Sequence, residues 1–197
     1  MQSLYYFIVK PLNDRYDNTR RVAGTDLIIN SGIEDHRFIS KKAVVVQTPA
    51  AYTTKINIGD ELYIHHNIFR RWYDQKGKER NSSTHFKDDL YFVAPEQIYM
   101  YNLKTHLDYC FIKPLKNQSV LENRKEQPNV GIVKYSNKSL EALKITPGTL
   151  ITFTPNSEFE FIIEGERLYC MKSNDIALTH EYQGNEEENN PSWAKSS

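Results

Sequence analysis

Few side chains in this sequence are combined in a way that could do chemistry. Three histidines, His65, His66 and His85, come nearest to a metal-binding set. Adjacent residues on a strand point to opposite faces of the sheet, so His65 and His66 are poorly placed to share one ion. No cysteine or carboxylate cluster completes a zinc site around them. We therefore expect neither a metal nor a cofactor.

The cysteines and the missing motifs argue against an enzyme. Cys110 and Cys170 each lie beside apolar or aromatic neighbours, which favours inert buried thiols in a reducing cytosol over the alternative, a disulfide. The signatures of serine hydrolases, zinc proteases, P-loop proteins and dinucleotide-binding domains do not occur in the sequence. We expect a protein that catalyses no reaction itself.

One segment combines basic and aromatic side chains. It opens with five residues in a row, Phe69, Arg70, Arg71, Trp72 and Tyr73, and continues to residue 89. Such interleaving can bind single-stranded nucleic acid by charge and stacking. The alternative is a solvated hairpin whose positive charges are offset by Asp74, Glu79, Asp88 and Asp89. We favour the hairpin, because 25 basic and 25 acidic residues leave a formal net charge of zero.

The elements that must position these residues are predicted to be strands. Short runs of branched and aromatic residues are bounded by Gly, Pro, Asn and Asp, which is typical of strands in small barrels. No stretch of ten residues shows helical periodicity, and residues 140–143 could form one short turn at most. No apolar run approaches the roughly 20 residues that span a bilayer, and the start lacks the basic region of a secretory signal. We expect an all-β cytoplasmic protein with no membrane partner.

Three blocks of the first half return in the second half in the same order. Residues 7–12 match 111–115, residues 56–64 match 145–153, and residues 91–98 match 169–176. This pattern predicts a duplicated domain, with units at 1–105 and 106–182 and a polar, disordered tail at 183–197. The offset between copies shrinks from 103 to 89 to 78, so the second copy lacks two segments. We expect function in those segments, because connecting loops often carry it.

Several motifs of the first copy point to one family. Residues 10–15, Lys-Pro-Leu-Asn-Asp-Arg, open the first strand; three valines at 44–46 form an apolar strand; Gly59-Asp60 leads into the next strand; and residues 93–98 close the copy. In this order they resemble the GroES-type co-chaperonins, the lid subunits of chaperonins, and are similar to the divergent co-chaperonins of tailed phages. The resemblance implies two tandem GroES-like small β-barrels.

The resemblance also implies a role for each extra segment. Residues 17–32 correspond to the family's mobile loop, in which Gly24, Leu27, Ile28 and Ile29 would contact a GroEL-type chaperonin. The alternative is that residues 27–29 form a buried strand of the barrel. The family usually has a glycine pair directly before the aliphatic residues, whereas Thr25 and Asp26 intervene here. Residues 67–89 correspond to the hairpin that roofs the family's dome.

The implied function is that of a co-chaperonin. The protein would form a ring, heptameric like the family's lids, and would assist ATP-dependent folding in the cytoplasm, or in the host cytoplasm if a phage encodes it. Residues 116–129 of the second copy hold no aliphatic triplet after a glycine, so that copy would not bind the chaperonin. The alternative is a phage structural protein, a virion decoration or assembly component, that keeps the barrel without chaperonin binding.

Overall fold

The computed structural model describes residues 2–17, 19–22, 25–28, 35–117, 125–181 and 186–196. The chain divides into two compact units, Met1–Leu103 and Lys104–Ser197. In the described residues the single α-helix, α1, covers only Lys138–Ala142, and strands form most of the remaining regular structure. The prediction of an all-β fold is confirmed. None of the helices in these residues is long and apolar enough to cross a membrane.

The described residues of unit 1 form ten strands. They are β1 (Phe7–Pro11), β2 (Thr19–Val22), β3 (Thr25–Ile28), β4 (Lys42–Gln47), β5 (Glu61–Ile64), β6 (Arg71–Tyr73), β7 (Glu79–Asn81), β8 (His85–Lys87), β9 (Leu90–Val93) and β10 (Ile98–Tyr101). Unit 2 contains β11 (Lys104–Thr105), β12 (Tyr109–Lys116), β13 (Glu126–Tyr135), β14 (Leu150–Phe153), β15 (Phe159–Ile163), β16 (Glu166–Lys172) and β17 (Ile176–His180). Short 3-10 turns cover His36–Phe38, His66–Ile68, Pro95–Gln97, Ser173–Asp175 and Ser192–Ser196.

The two units have the same strand order. Unit 1 has the antiparallel order β10-β5-β4-β1-β9-β8, and unit 2 has β17-β14-β13-β12-β16-β15. Strands β2 and β3 form a separate two-stranded sheet, as do β6 and β7. Across the described ranges no ladder joins β8 to β10 or β15 to β17, so strand pairing does not close either sheet into a barrel.

The registers of the two sheets also match. Val9 pairs with Val45 on one side and Tyr91 on the other, and the matching residue of unit 2, Ile112, pairs with Val133 and Tyr169. Both ladders shift register at the same place, between Ile8 and Val9 in unit 1 and between Phe111 and Ile112 in unit 2.

Matching turns follow from the same alignment. Gly59 and Gly148 have φ values of +90° and +93°, which few residues other than glycine adopt. Each glycine N–H donates to a matching carbonyl, that of Val45 or Val133, at 2.8 Å. The two units therefore correspond in strand order, register and turns.

Each unit has a core of its own. The largest fully buried side chains of unit 1 include Phe7, Leu62, Phe69 and Tyr91. One buried cluster of unit 2 contains Cys110, Ile112, Val133, Leu140, Ile145, Ile151, Phe153 and Met171. Burying side chains of this size stabilises each unit by about 1.5–3 kcal/mol per residue. Both cysteines are free and buried, as predicted, and burial raises the pKa of Cys110 to about 12.

The C-terminal segment differs from its prediction. Residues 183–197 were expected to form a disordered tail, yet the described part, residues 186–196, lies against unit 2. Leu115 forms an antiparallel bridge with Glu188, and Ala194 is fully buried. The polar composition of the segment predicts disorder. The composition does not reveal its partners, because the lysines that it contacts lie about 70 residues earlier in the chain.

Candidate functional site

The connection between β1 and β4 leaves the sheet of unit 1 from a fixed base. The Asp17 N–H donates to the carbonyl of Phe38 at 2.7 Å, and the Ser40 N–H donates to the carbonyl of Arg15 at 3.1 Å. Tyr16 and Ile39 form an antiparallel bridge between these bonds, and both side chains are buried in the core. The two ends of the connection are therefore held together where it departs from the sheet.

Beyond this base the chain forms the hairpin of β2 and β3, which we call the first hairpin. Its register pairs Thr19 with Ile28 and Val22 with Thr25. In the part of the chain that the structure describes, β2 and β3 pair only with each other. The backbone here is thus neither an unpaired loop nor a strand of the main sheet. Of the predicted contact residues, Leu27 and Ile28 lie on β3, whereas Gly24 and Ile29 fall outside the described residues.

The matching connection of unit 2 is shorter. In unit 1, Pro11 pairs with Ala43, and 31 residues lie between them. In unit 2, Pro114 pairs with Gly131, and only 16 residues lie between them. The ladder of unit 2 then runs on as far as Lys116, which pairs with Glu126. A separate hairpin at this position is therefore seen in unit 1 alone among the described residues.

The basic and aromatic segment forms the hairpin of β6 and β7, which we call the second hairpin. Asp74 closes its turn by accepting hydrogen bonds from the N–H groups of Lys76 and Lys78 at 3.0 and 2.9 Å. Arg80 donates to Asp74 at 2.9 Å, and Arg71 forms an ion pair with Glu79 at 3.1 Å. The hydrogen bonds that Asp74 accepts, first that from the Lys78 N–H and then those from Arg80 and Lys76, lower its pKa.

The five predicted roof residues are divided between core and surface. Phe69 is fully buried, Arg71 is half-buried, and Arg70 is exposed. Trp72 and Tyr73 are 41% and 52% exposed on β6. The second hairpin therefore presents two aromatic side chains to solvent, while two of its arginines are matched by carboxylates of the same hairpin.

Both hairpins start from one group of residues, which we call the anchor cluster: Arg15, Tyr16, Phe69, Arg71 and Tyr91. Arg15 Nε donates to the carbonyl of Phe69 at 2.8 Å, and the Arg71 N–H donates to the Tyr16 hydroxyl at 2.9 Å. The Arg71 guanidinium lies 4.6 Å from the centre of the Tyr16 ring, and that of Arg15 lies 5.2 Å from the centre of the Tyr91 ring. The base of the first hairpin and the start of the second are therefore fixed to each other.

The anchor cluster was not singled out from the sequence. Arg15 was noted only as part of an opening motif, and Tyr16, Arg71 and Tyr91 are far apart in the chain. The available signal is weak: an arginine and a tyrosine lie next to each other four and five residues after the end of the first strand, in an unusually long connection. Arginine commonly stacks on aromatic rings, so such a pair indicates a fixed loop base.

The histidines do not form the set considered from the sequence. The rings of His65 and His66 stack with their centres 4.4 Å apart. The ring of His36, which was not part of the predicted set, lies 5.7 Å from that of His66. His85 lies elsewhere, with its ring 5.3 Å from that of Tyr91. Burial, followed by the neighbouring His65, lowers the pKa of His66 to about 4. The described residues contain no group of three or more side chains arranged to hold a metal ion.

Comparison with known proteins gives no family for this chain. No protein-family model matches the sequence, and no curated protein is significantly similar to it. The features that bear on function are therefore the two hairpins, the anchor cluster and the longer connection of unit 1.

Proposed function

We propose that the protein is a co-chaperonin, a ring-forming lid that docks on a GroEL-type chaperonin through its first hairpin. The observation that carries this proposal is the position of that hairpin. It extends from the fixed base at Asp17 and Phe38, lies outside the main sheet and includes Leu27 and Ile28. The shared strand order of the two units supports the further proposal that each is a GroES-like barrel, the second without a docking element.

The energetics favour docking by several copies together. Burying an aliphatic side chain such as Leu27 or Ile28 in an apolar groove contributes about 1.5–3 kcal/mol. Ordering a flexible segment costs about 1 kcal/mol per residue or more, and the existing pairing of β2 with β3 reduces that cost. A single hairpin would still bind weakly. A ring that presents several hairpins at once would bind with much greater avidity.

The other parts of the molecule take supporting roles in this proposal. The second hairpin would form the roof, with Trp72 and Tyr73 facing the neighbouring copies or the enclosed client. The anchor cluster would keep roof and docking element in a fixed relation. The chaperonin would bind and hydrolyse ATP, so this chain needs no catalytic residue or cofactor. It would act in the cytoplasm, that of the host if a phage encodes it.

A structural role is the second candidate function. It is favoured by the pairing of β2 with β3, because a docking loop of this family is expected to lack structure before it binds. A virion decoration or assembly protein would keep the barrels and have no chaperonin to bind. The two candidates differ in whether the first hairpin has a partner.

One experiment separates them. The purified protein is mixed with a GroEL-type chaperonin, with and without ATP, and the particles are imaged by electron microscopy. A co-chaperonin produces capped particles that depend on nucleotide, and native mass spectrometry of the protein alone shows rings. Rings without caps would favour the structural role. A protein that forms neither would contradict both the ring and the docking proposal.

A further inference from the structure

Three histidines connect the base of the first hairpin to the end of β5. His36 lies on a 3-10 turn just before Ile39, on the side of the connection that returns to β4. His65 and His66 directly follow β5, and their rings stack with centres 4.4 Å apart. The ring of His36 lies 5.7 Å from that of His66. We call these three residues the histidine cluster.

His65 starts the turn that leads into the anchor cluster. Its Nδ1 atom accepts a hydrogen bond from the Asn67 N–H at 3.1 Å, which caps the 3-10 turn His66–Ile68. Phe69 of the anchor cluster comes next in the chain, and its carbonyl accepts the bond from Arg15 Nε at 2.8 Å. An imidazole nitrogen accepts a hydrogen bond only while it carries no proton. Protonation of His65 at Nδ1 would therefore break the cap.

The charges around His66 oppose a proton on its ring. The charged groups that act most strongly on it are all basic: His65, Lys41, His36 and Arg70. Asp35, which precedes His36, is engaged by Arg37 at 2.7 Å. On the other side of the cluster, the ring of Tyr99 lies 6.2 Å from that of His65. Protonated imidazoles would therefore repel one another and the basic groups beside them.

Proton uptake should accordingly favour an open cluster. Burial, followed by these neighbouring charges, lowers the pKa of His66 to about 4, and burial also lowers the pKa of His65. Exposure to water restores the ordinary imidazole pKa of about 6.5. A group with these two values favours the open form about twentyfold more at pH 5 than at pH 7.

The base is also the part of unit 1 that can open most easily. Two backbone hydrogen bonds and the bridge of Tyr16 with Ile39 hold it together, whereas β1, β4 and β5 pair along their lengths. Segments held by few bonds at the margin of a sheet open at a lower free energy than the core.

We propose that the histidine cluster is an acid-sensitive latch, which keeps the base of the first hairpin closed while its imidazoles are neutral and releases the base when they are protonated. The bonds of Asp17 with Phe38 and of Ser40 with Arg15 break in the open form, and the core of unit 1 stays folded. The first hairpin then moves freely relative to the main sheet. The latch is a property of unit 1 alone and does not depend on chaperonin binding.

Hydrogen exchange of single amides, followed by NMR on the full-length protein at pH 7 and pH 5, tests the latch. The N–H groups of Asp17 and Ser40 report on the base, and that of Val45, which donates to the Asp60 carbonyl at 3.0 Å, reports on the core. After correction for intrinsic exchange rates, protection at Asp17 and Ser40 should fall about twentyfold or more. Low concentrations of urea should leave their exchange unchanged and accelerate that of Val45, because only global unfolding exposes much surface.

Variants of the cluster identify the groups responsible. His66→Gln should reduce the fall in protection between pH 7 and pH 5. His65→Asn keeps a good capping residue that does not titrate, so it should retain protection at pH 7, whereas His65→Ala should lower it about fivefold. The control is His180→Gln, a change at an exposed histidine on β17 of unit 2, which should leave protection at the base unchanged.

Three results would overturn the proposal. Equal protection of the Asp17 and Ser40 amides at both pH values would show that protons do not open the base. A urea dependence equal to that of Val45 at pH 5 would show that the base opens only when unit 1 unfolds. An undiminished fall in protection for His66→Gln would exclude the cluster as its cause. None of these results bears on the capping of a chaperonin at neutral pH, so the latch and the proposed function can fail separately.

Discussion

Tyr91 and Tyr169 occupy the same position in the two units, but only one of the two hydroxyl groups has a hydrogen-bond partner among the described residues. Each tyrosine pairs with the central strand of its sheet, and each ring lies beneath an arginine, at 5.2 Å from Arg15 and 4.9 Å from Arg167. The Tyr169 hydroxyl donates to Glu126 at 2.6 Å, whereas that of Tyr91 is buried without a partner. The two units thus share the tyrosine ring at this position and differ in the contacts of its hydroxyl group.

This difference predicts opposite responses to one substitution. Tyr169→Phe should destabilise unit 2 by about 1–3 kcal/mol, because Glu126 loses a donor in a partly buried network. Tyr91→Phe should leave the stability of unit 1 unchanged or slightly higher, because it removes a buried group that makes no bond. Trp72 lies in unit 1 and Trp193 in unit 2, so replacing one of them leaves a fluorescence probe in the other unit alone. Urea unfolding of such single-tryptophan variants measures both effects. Equal losses in the two units would contradict the assignment.

Gly131 provides a second comparison between the units. A Cβ atom there would lie 2.5 Å from Ile112 Cγ2 and 2.6 Å from the carbonyl oxygen of Lys113. Unit 1 has Ala43 at the matching position, opposite Pro11. We expect Gly131→Ala to destabilise unit 2 by about 2–3 kcal/mol, since the neighbouring backbone has to move. The matched substitution Ala43→Gly should cost about 1 kcal/mol. Tryptophan-monitored unfolding would contradict this account if Gly131→Ala were neutral.

Much of the fold could be predicted because the repeated motifs lie at positions that fix register. Lys10 and Lys113 each precede the proline that pairs with the next strand, and Gly59 and Gly148 form the same turn. The shrinking offset between the copies agrees with the longer connection between β1 and β4 in unit 1. Each of these signals lies within a short stretch of sequence, so it can be recognised in a single sequence.

Of the features that were not predicted, the hairpin of β2 and β3 is local, whereas the others depend on contacts between distant residues. The pairing of β2 with β3 was not expected, although only Ala23 and Gly24 separate the two strands, a spacing typical of tight hairpins. The docking of residues 186–196 depends on Lys113 and Lys116, and composition alone does not reveal such partners. The anchor cluster combines residues from three separate parts of the chain, so no local pattern marks it.

The histidine cluster predicts a dependence of stability on pH. Burial and the neighbouring positive groups hold the pKa of His66 near 4, below the value of about 6.5 in an unfolded chain. The unfolded chain therefore binds more protons between these values, so the stabilisation is complete above pH 6.5 and is lost as the pH falls towards 4. Thermal unfolding of unit 1 between pH 7 and pH 4.5 measures the loss. His66→Gln should reduce this loss, and part of it should remain because burial also lowers the pKa of His65. A profile identical to that of the unchanged protein would exclude His66 as a cause.

The docking proposal makes its own prediction for the first hairpin. Ile28→Asp should abolish association with the chaperonin while the ring stays intact, because an unpaired carboxylate cannot enter an apolar groove without a large desolvation penalty. Loss of about 1.5–3 kcal/mol per copy, repeated around a ring, leaves no measurable binding. The matched control is Leu121→Asp, in the shorter connection of unit 2, which should keep full association. Pull-down with chaperonin and ATP measures binding, and native mass spectrometry measures the ring. Unchanged binding by Ile28→Asp would show that another segment makes the contact, and equal loss by both variants would show that docking is not confined to unit 1.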